Sequence, residues 1–176
     1  MSLKAELLVK LSATQKGAND FGGPSFNPMV EFLSQLADGV DANEADLFFA
    51  DERSVNASSN DDIDLAGVLA SALGATLTFA EIVGILIINR PKDPTETANL
   101  SSLTIGNEGT NPYAGFLSSG GTVGPIPPGG MMLVFNPGAA GLGTVTAGTG
   151  DKLRVANGSG GTAKYQIAII GRSSAS

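Results

Sequence analysis

The sequence predicts an all-β protein: one antiparallel β-sandwich, jelly-roll-like in its closure, with an irregular Gly/Pro-rich N-terminal segment. Three observations predict it. Short runs of β-branched and aromatic residues recur along the chain, each ended by Gly, Pro, Asn or Asp. Several runs alternate apolar and polar residues with the period of two that a half-buried strand needs. Helix-forming stretches are brief, and no repeat of roughly 20–50 residues marks a solenoid or propeller. The 176 residues suit a single domain, 1–176. A chain of this length buries roughly 70% of its extended surface, enough for a core without disulfide or metal.

The first run is Leu3 to Leu11. Leu7, Val9 and Leu11 fall on one face, Glu6 and Lys10 on the other, and Leu8 breaks the pattern. Gly17, Gly22, Gly23, Pro24 and Pro28 make residues 17–29 an extended loop or arm. Val30 to Leu36 reads as a strand. Ala45 to Val55 is a clearer one, centred on Leu47-Phe48-Phe49, and Asn56 to Asn60 is a polar turn.

Asp61 to Leu65 alternates, with Ile63 and Leu65 inward and Asp62 and Asp64 outward. Ala66 to Leu73 holds helix formers but is short. Ile82 to Ile88 is apolar on both faces, which places it centrally in a sheet and covered on both sides. Arg90 to Pro94 ends it, because Pro cannot donate to a central ladder. Asn99 to Ile105 is the next strand, and Gly106 to Thr110 turns. Gly120 to Gly130 is a segment stiffened by Pro125, Pro127 and Pro128. Met131 to Phe135 is a strand, followed by a Gly-rich loop to Gly143. Lys152 to Ala156 and Thr162 to Gly171 read as a hairpin across residues 157–161. Residues 173–176 form a tail. The resulting count of about eight strands suits a jelly roll or another Greek-key sandwich.

Composition narrows the chemistry. The chain has no Cys, no His and no Trp. Disulfides, zinc–thiolate sites and thiol catalysis are excluded. So are the commonest general base and the commonest metal ligand. The net charge of -7 repels phosphate backbones, so no direct nucleic-acid partner is expected. Charged residues make up only 15%. Two accounts fit that value: much of the surface meets other protein, or Gly, Ser, Thr and Asn supply the polarity. The N-terminus is interrupted by Lys4, Glu6 and Lys10, unlike a signal peptide, and no apolar stretch is long enough to span a bilayer. The expectation is a protein made and kept in a cytoplasm unless an assembly carries it out, with no membrane partner.

No catalytic, cofactor or metal site is expected. Asn60, Asp61, Asp62 and Asp64 are the densest acidic group, but a strand sends Asp61 away from Asp62 and Asp64, and no calcium loop pattern is present. Asp46, Asp51 and Glu52 could form a glycosidase pair only inside a cleft, and the aromatic platforms that hold sugars are scarce. The stretch Gly158 to Lys164 departs from a phosphate loop, since Tyr165 follows the Lys and the context is strand–turn–strand. A Ser or Thr nucleophile would lack a His base. The sequons at Asn56, Asn99 and Asn157 read as chance matches.

The apolar residues within loops carry more information. Phe21, Phe26 and Met29 sit in or beside the Gly/Pro segment, and Met131 and Met132 follow the Pro-rich one. They either fold back on the sandwich or pack on a neighbouring subunit. On the second reading these five are the candidate subunit contacts.

A longer pattern adds to this. Ala45-Asp46-Leu47-Phe48-Phe49 is followed by Asp64-Leu65-Ala66-Gly67, then by Leu73-Gly74-Ala75-Thr76-Leu77-Thr78-Phe79-Ala80, then by an apolar strand. Near the C-terminus come Pro127-Pro128-Gly129-Gly130, Thr146 to Leu153, and Tyr165 to Gly171. From about Ala45 onward the pattern resembles small virion structural proteins of tailed bacteriophages. The resemblance implies a non-enzymatic protein of the virion, foremost a capsid decoration or cement protein on the outer shell. Its partners would be copies of itself and a major capsid protein. Trimers are common for such clamps, though the sequence does not encode the number. A tail or baseplate component, including a receptor-binding knob, is the alternative from the same assembly. A carbohydrate-binding module is the alternative from another class.

Overall fold

The computed structural model describes residues 2–106, 109–117 and 120–175. Among these the chain is all-β. Strands β1 (Ala5–Ser12), β2 (Gln15–Lys16), β3 (Ser25–Phe26) and β4 (Met29–Leu36) come first. The sandwich follows, with β5 (Leu47–Val55), β6 (Asn60–Asp64), β9 (Glu81–Ile88), β10 (Leu103–Gly106), β11 (Thr122–Ile126), β12 (Met131–Phe135), β13 (Lys152–Asn157) and β14 (Ala163–Arg172). A small ladder of β7 (Ala66–Ala70) and β8 (Thr76–Thr78) is inserted between β6 and β9. The stretch from Ala66 is therefore extended, despite its helix formers.

Two four-stranded sheets face each other, in the orders β12-β9-β14-β5 and β11-β10-β13-β6. Every pairing between these strands is antiparallel. Apart from the β10–β11 hairpin, each successive sandwich strand lies in the opposite sheet. That alternation is the double-sheet jelly roll. Pro125 is accommodated because β11 is an edge strand, where a missing N–H costs no ladder bond. The segment read as a stiff loop is thus partly a strand.

The core lies between the sheets. Ile63, Leu103, Ile105, Leu153 and Val155 from one sheet meet Phe49, Ile85, Ile87, Tyr165, Ile167 and Ile169 from the other. Strands β13 and β14 show why the hairpin expected between them does not form. Both alternate buried and half-buried residues, so each has one inner face to bury. They bury these faces against each other across the sandwich, and each takes its ladder partners within its own sheet. Residues 157–161 form an arch between sheets. Asn157 holds it, donating from Nδ2 to Val55 O at 2.9 Å and Gly161 O at 2.8 Å.

The expected strand from Asn99 begins only at Leu103. Asn99 instead joins a buried amide network: its Nδ2 donates to Asn89 Oδ1 at 2.7 Å, and Asn89 Nδ2 donates to Ser101 O and Ile126 O at 2.9 Å. Two of the three sequon asparagines, Asn99 and Asn157, are therefore buried. The turn expected over Gly106 to Thr110 includes Asn107 and Glu108, which lie outside the described residues.

Candidate assembly interface

The N-terminal segment forms a continuous β-hairpin arm. Strand β1 pairs with β4 from Ala5 opposite Leu36 to Ser12 opposite Met29. The same register continues through Ala13, whose N–H donates to Pro28 O at 3.1 Å, and through β2 and β3 to Gly17, bonded to Pro24 O at 2.8 Å. Only residues 18–23 form the tip. There Asn19 accepts from the Phe21 N–H through Oδ1 at 2.9 Å, and Gly22 takes a φ of 109° that a side chain would strain. From Ala5 to Gly17 an antiparallel strand rises about 40 Å. The irregular loop or arm expected at 17–29 is thus the outer part of a longer, regular element.

Paired residues share a face, so the register sorts the arm's side chains. One face carries Ala5, Leu7, Val9 and Leu11 with Leu36, Phe32 and Val30; Ser34 is its only polar member on these strands. The other carries Glu6, hydrogen-bonded by Gln35 at 3.1 Å, and Lys10, 3.7 Å from Glu31, beside Leu8 and Leu33. The arm is an amphipathic ribbon with a neutral, apolar stripe.

Only the root of that stripe has cover. Leu36 is buried with Ala45 and Val83, against Leu3, Ala5, Phe135 and Ile170. Phe32 reaches back edge-on to Phe135, ring centroids 6.1 Å apart. Further out, Leu11 is 73% exposed and Val30 71%. Burying such side chains fully is worth about 1.5–3 kcal/mol each. A two-stranded ribbon on its own is marginal in water.

The surface under the root is the outer face of β12-β9-β14-β5. Register places Phe135, Gly84, Ile170 and Phe48 in one row across the sheet. Leu133, Leu86, Ala168 and Ala50 form the next, and Met131, Ile88, Gln166 and Glu52 the third. The root covers the first row. A Cβ at Gly84 would stand 2.8 Å from the Phe135 ring, so glycine keeps that row flat beneath the arm. A depression of about 190 Å³ lies between the arm root and the first two rows, and one of about 480 Å³ is lined by Ala50, Leu86, Ile88 and Ala168 together with Asp51, Glu52 and Lys92; they share Leu86 and Ala168 and so form one trough. Strand β9 was expected to be covered on both faces; its Leu86 and Ile88 are only half-buried.

The opposite sheet differs. Its outer face carries Arg154, bonded to both oxygens of Asp62 at 2.6 and 2.7 Å, with Lys152 opposite Asp64. One outer face of the sandwich is charged; the other is apolar in its two rows nearest the arm and charged beyond them, where Glu52 and Lys164 pair.

The five candidate contacts separate accordingly. Phe21 stands at the arm tip, 101% exposed. Phe26 and Met29 are exposed on the arm, and Met131 is exposed on the sheet beside the trough. Met132, one residue on, points inward and is 7% exposed; it belongs to the core. Sequence reasoning missed Leu11, Val30, Phe32 and Phe48. The first three carry a signal that could have found them: two apolar runs flanking one Gly/Pro turn read as a hairpin.

The acidic candidates are engaged structurally. Asp61 bridges the sheets where edge strands β5 and β6 meet. It accepts from Arg53 Nε at 2.7 Å and Nη2 at 2.8 Å, and from the Tyr165 hydroxyl at 2.7 Å. Burial pushes its carboxyl up, but the bonds from Arg53 and Tyr165 outweigh that and hold it below the ordinary carboxylate range. Burial, with Asp61 close by, raises the Tyr165 phenol. Asp51 and Glu52 are adjacent on β5 and so face opposite sides, and Asp46 accepts from the Ser173 N–H at 2.8 Å. Among the described residues no group of three or more acids is placed to hold a metal ion, and no helix is long and apolar enough to cross a membrane. Compared with protein-family models, curated proteins and solved structures, the chain finds no match in any of the three.

Proposed function

We propose that the chain is a non-enzymatic structural protein of a bacteriophage virion, a decoration protein that works as a homo-oligomer and clamps a major capsid protein on the outer shell. The arm is the observation that carries this reading. A projecting ribbon with an exposed apolar stripe costs a free monomer solubility and gains its stability only against another surface. An arm also adds contact area without enlarging the domain that bears it. The jelly roll beneath is a rigid platform, stapled by its core and its buried amide network. The net charge of -7 favours the outside of a shell, away from packaged nucleic acid. The resemblance of the chain from about Ala45 onward supports the virion.

Quantitative mass spectrometry and cryo-electron microscopy of intact particles test the proposal. The expected result is density over the capsid lattice at a copy number matching that lattice. Density confined to the tail, at far lower copy number, would replace decoration with a tail or baseplate role, including a receptor-binding knob. Particles without the chain would sink the virion reading. A selective hit on a glycan array would then favour a carbohydrate-binding module.

A further inference from the structure

The arm and the trough are two uncovered apolar surfaces on one chain, and the arm's own root shows how they fit. Ala5, Leu7 and Leu36, on the stripe, lie against the first row of the outer sheet face. The second row continues the same apolar surface, half-buried at Leu86 and Ala168, and beyond Val9 the stripe continues without cover; the third row meets the segment after β9, where Gln166 donates to the Arg90 and Pro91 carbonyls and Glu52 accepts from the Lys92 N–H. The stripe and the first two rows of the sheet carry no charged side chain, so a contact confined to them desolvates no ion, while Asp51, Glu52 and Lys92 line the rest of the trough. The arm's charges lie on its other face, where Lys10 and Glu31 meet each other.

We infer that the outer half of the stripe, centred on Leu11 and Val30, lies in the Leu86–Ala168 trough of a second copy. The inference rests on the reading of the arm as an assembly element and names what it grips. Area decides the form of the assembly. Beyond Val9 the arm runs about 27 Å and a two-stranded ribbon is about 10 Å wide, so one docked arm removes on the order of 600 Å² over both partners. That is below the roughly 1,000 Å² a specific interface needs. A two-fold dimer that exchanges arms puts two such contacts in one interface, on the order of 1,200 Å², which passes that threshold. Every arm and every trough is then filled.

The cysteine-free sequence makes the test direct. Val30→Cys and Ala168→Cys chains are co-expressed and treated with a short bis-maleimide. A covalent dimer joining the two variants is expected, in severalfold excess over dimers from either variant alone. Val30→Cys co-expressed with Val68→Cys, an exposed position on β7, is expected to yield none above background. Leu11→Lys with Val30→Glu is expected to sediment as a monomer where the parent chain associates; both positions are exposed and directly opposite in the ladder, so the new charges pair across the strands and the arm is kept. Absence of the mixed dimer, or a parent chain that stays monomeric at all concentrations, overturns the inference. So does Val30→Cys linking only to a shell protein in particles, an outcome that would leave the virion reading intact. A mixed dimer formed by a chain missing from particles would support the inference and remove the virion reading.

Discussion

Among the described residues Arg172 is one of the most heavily bonded side chains. It is fully buried and paired with Glu81, and its other N–H groups donate to Glu44 O at 3.1 Å, Ala139 O at 2.8 Å, Gly138 O at 3.0 Å and Pro137 O at 3.2 Å. It ties the end of β14 to the turn behind the arm and to the loop after β12. Arg172→Met would leave Glu81 buried without its cation. We expect a loss of about 3–5 kcal/mol, read as a fall in Tm of roughly 10 °C for a chain of this size. Removing Glu81 as well, as in Arg172→Met with Glu81→Leu, should restore part of it. Asp61 contributes to acid sensitivity. Its folded pKa lies below its unfolded value of about 3.9, so its contribution is complete above that pH and is lost as pH falls through the folded pKa. Asp61→Asn should lower stability near neutrality and flatten the decline below about pH 4, in denaturant melts taken across pH. An unchanged slope would dissociate Asp61 from the acid transition. Local sequence announced neither role: Arg172 gets its partners from three separated segments, at Glu44, at Glu81 and at 137–139, and Asp61 meets Arg53 only because β5 and β6 are facing edges.

At the scale of elements, the arm should behave as a unit distinct from the sandwich. Its tip, between Lys16 and Pro24, is fully exposed, so trypsin should cut after Lys16 first and leave the sandwich folded. Hydrogen exchange gives a second readout. Amides of β1 and β4 beyond Val9 should exchange fast in dilute protein and become protected on assembly, while β9 and β14 stay protected throughout. Equal protection at all concentrations would mean that the arm is stable unaided. Periodicity located β1 and sorted its two faces correctly but left open what its apolar face meets. Period two reports that one face is apolar; it does not report what lies opposite. The same limit explains β13 and β14, whose turn-like connector suits a hairpin until each strand's inner face requires the other sheet.

For the whole molecule, the separation of surfaces matters most. The jelly roll has a charged outer face on one sheet and, on the other, a trough whose centre at Leu86 and Ala168 is apolar, so its exposed apolar sheet surface lies on one side. If copies bind through arm and trough, the native state is linked to association, and Tm should rise with protein concentration. Leu11→Lys with Val30→Glu should remove that dependence and leave the low-concentration Tm unchanged. A Tm independent of concentration in the parent chain would separate folding from assembly.

The sequence by itself determined the all-β class, most strand positions, the central place of Ile82 to Ile88 and the lack of His and Cys chemistry. These follow from local composition and period, which act within a few residues. Tertiary structure alone decided which sheet each strand joins, that residues 5–36 form one hairpin, and that Met131 is exposed while Met132 is core. Those outcomes depend on register between segments far apart in the chain, and a shift of one residue in register exchanges the buried and exposed faces of a strand.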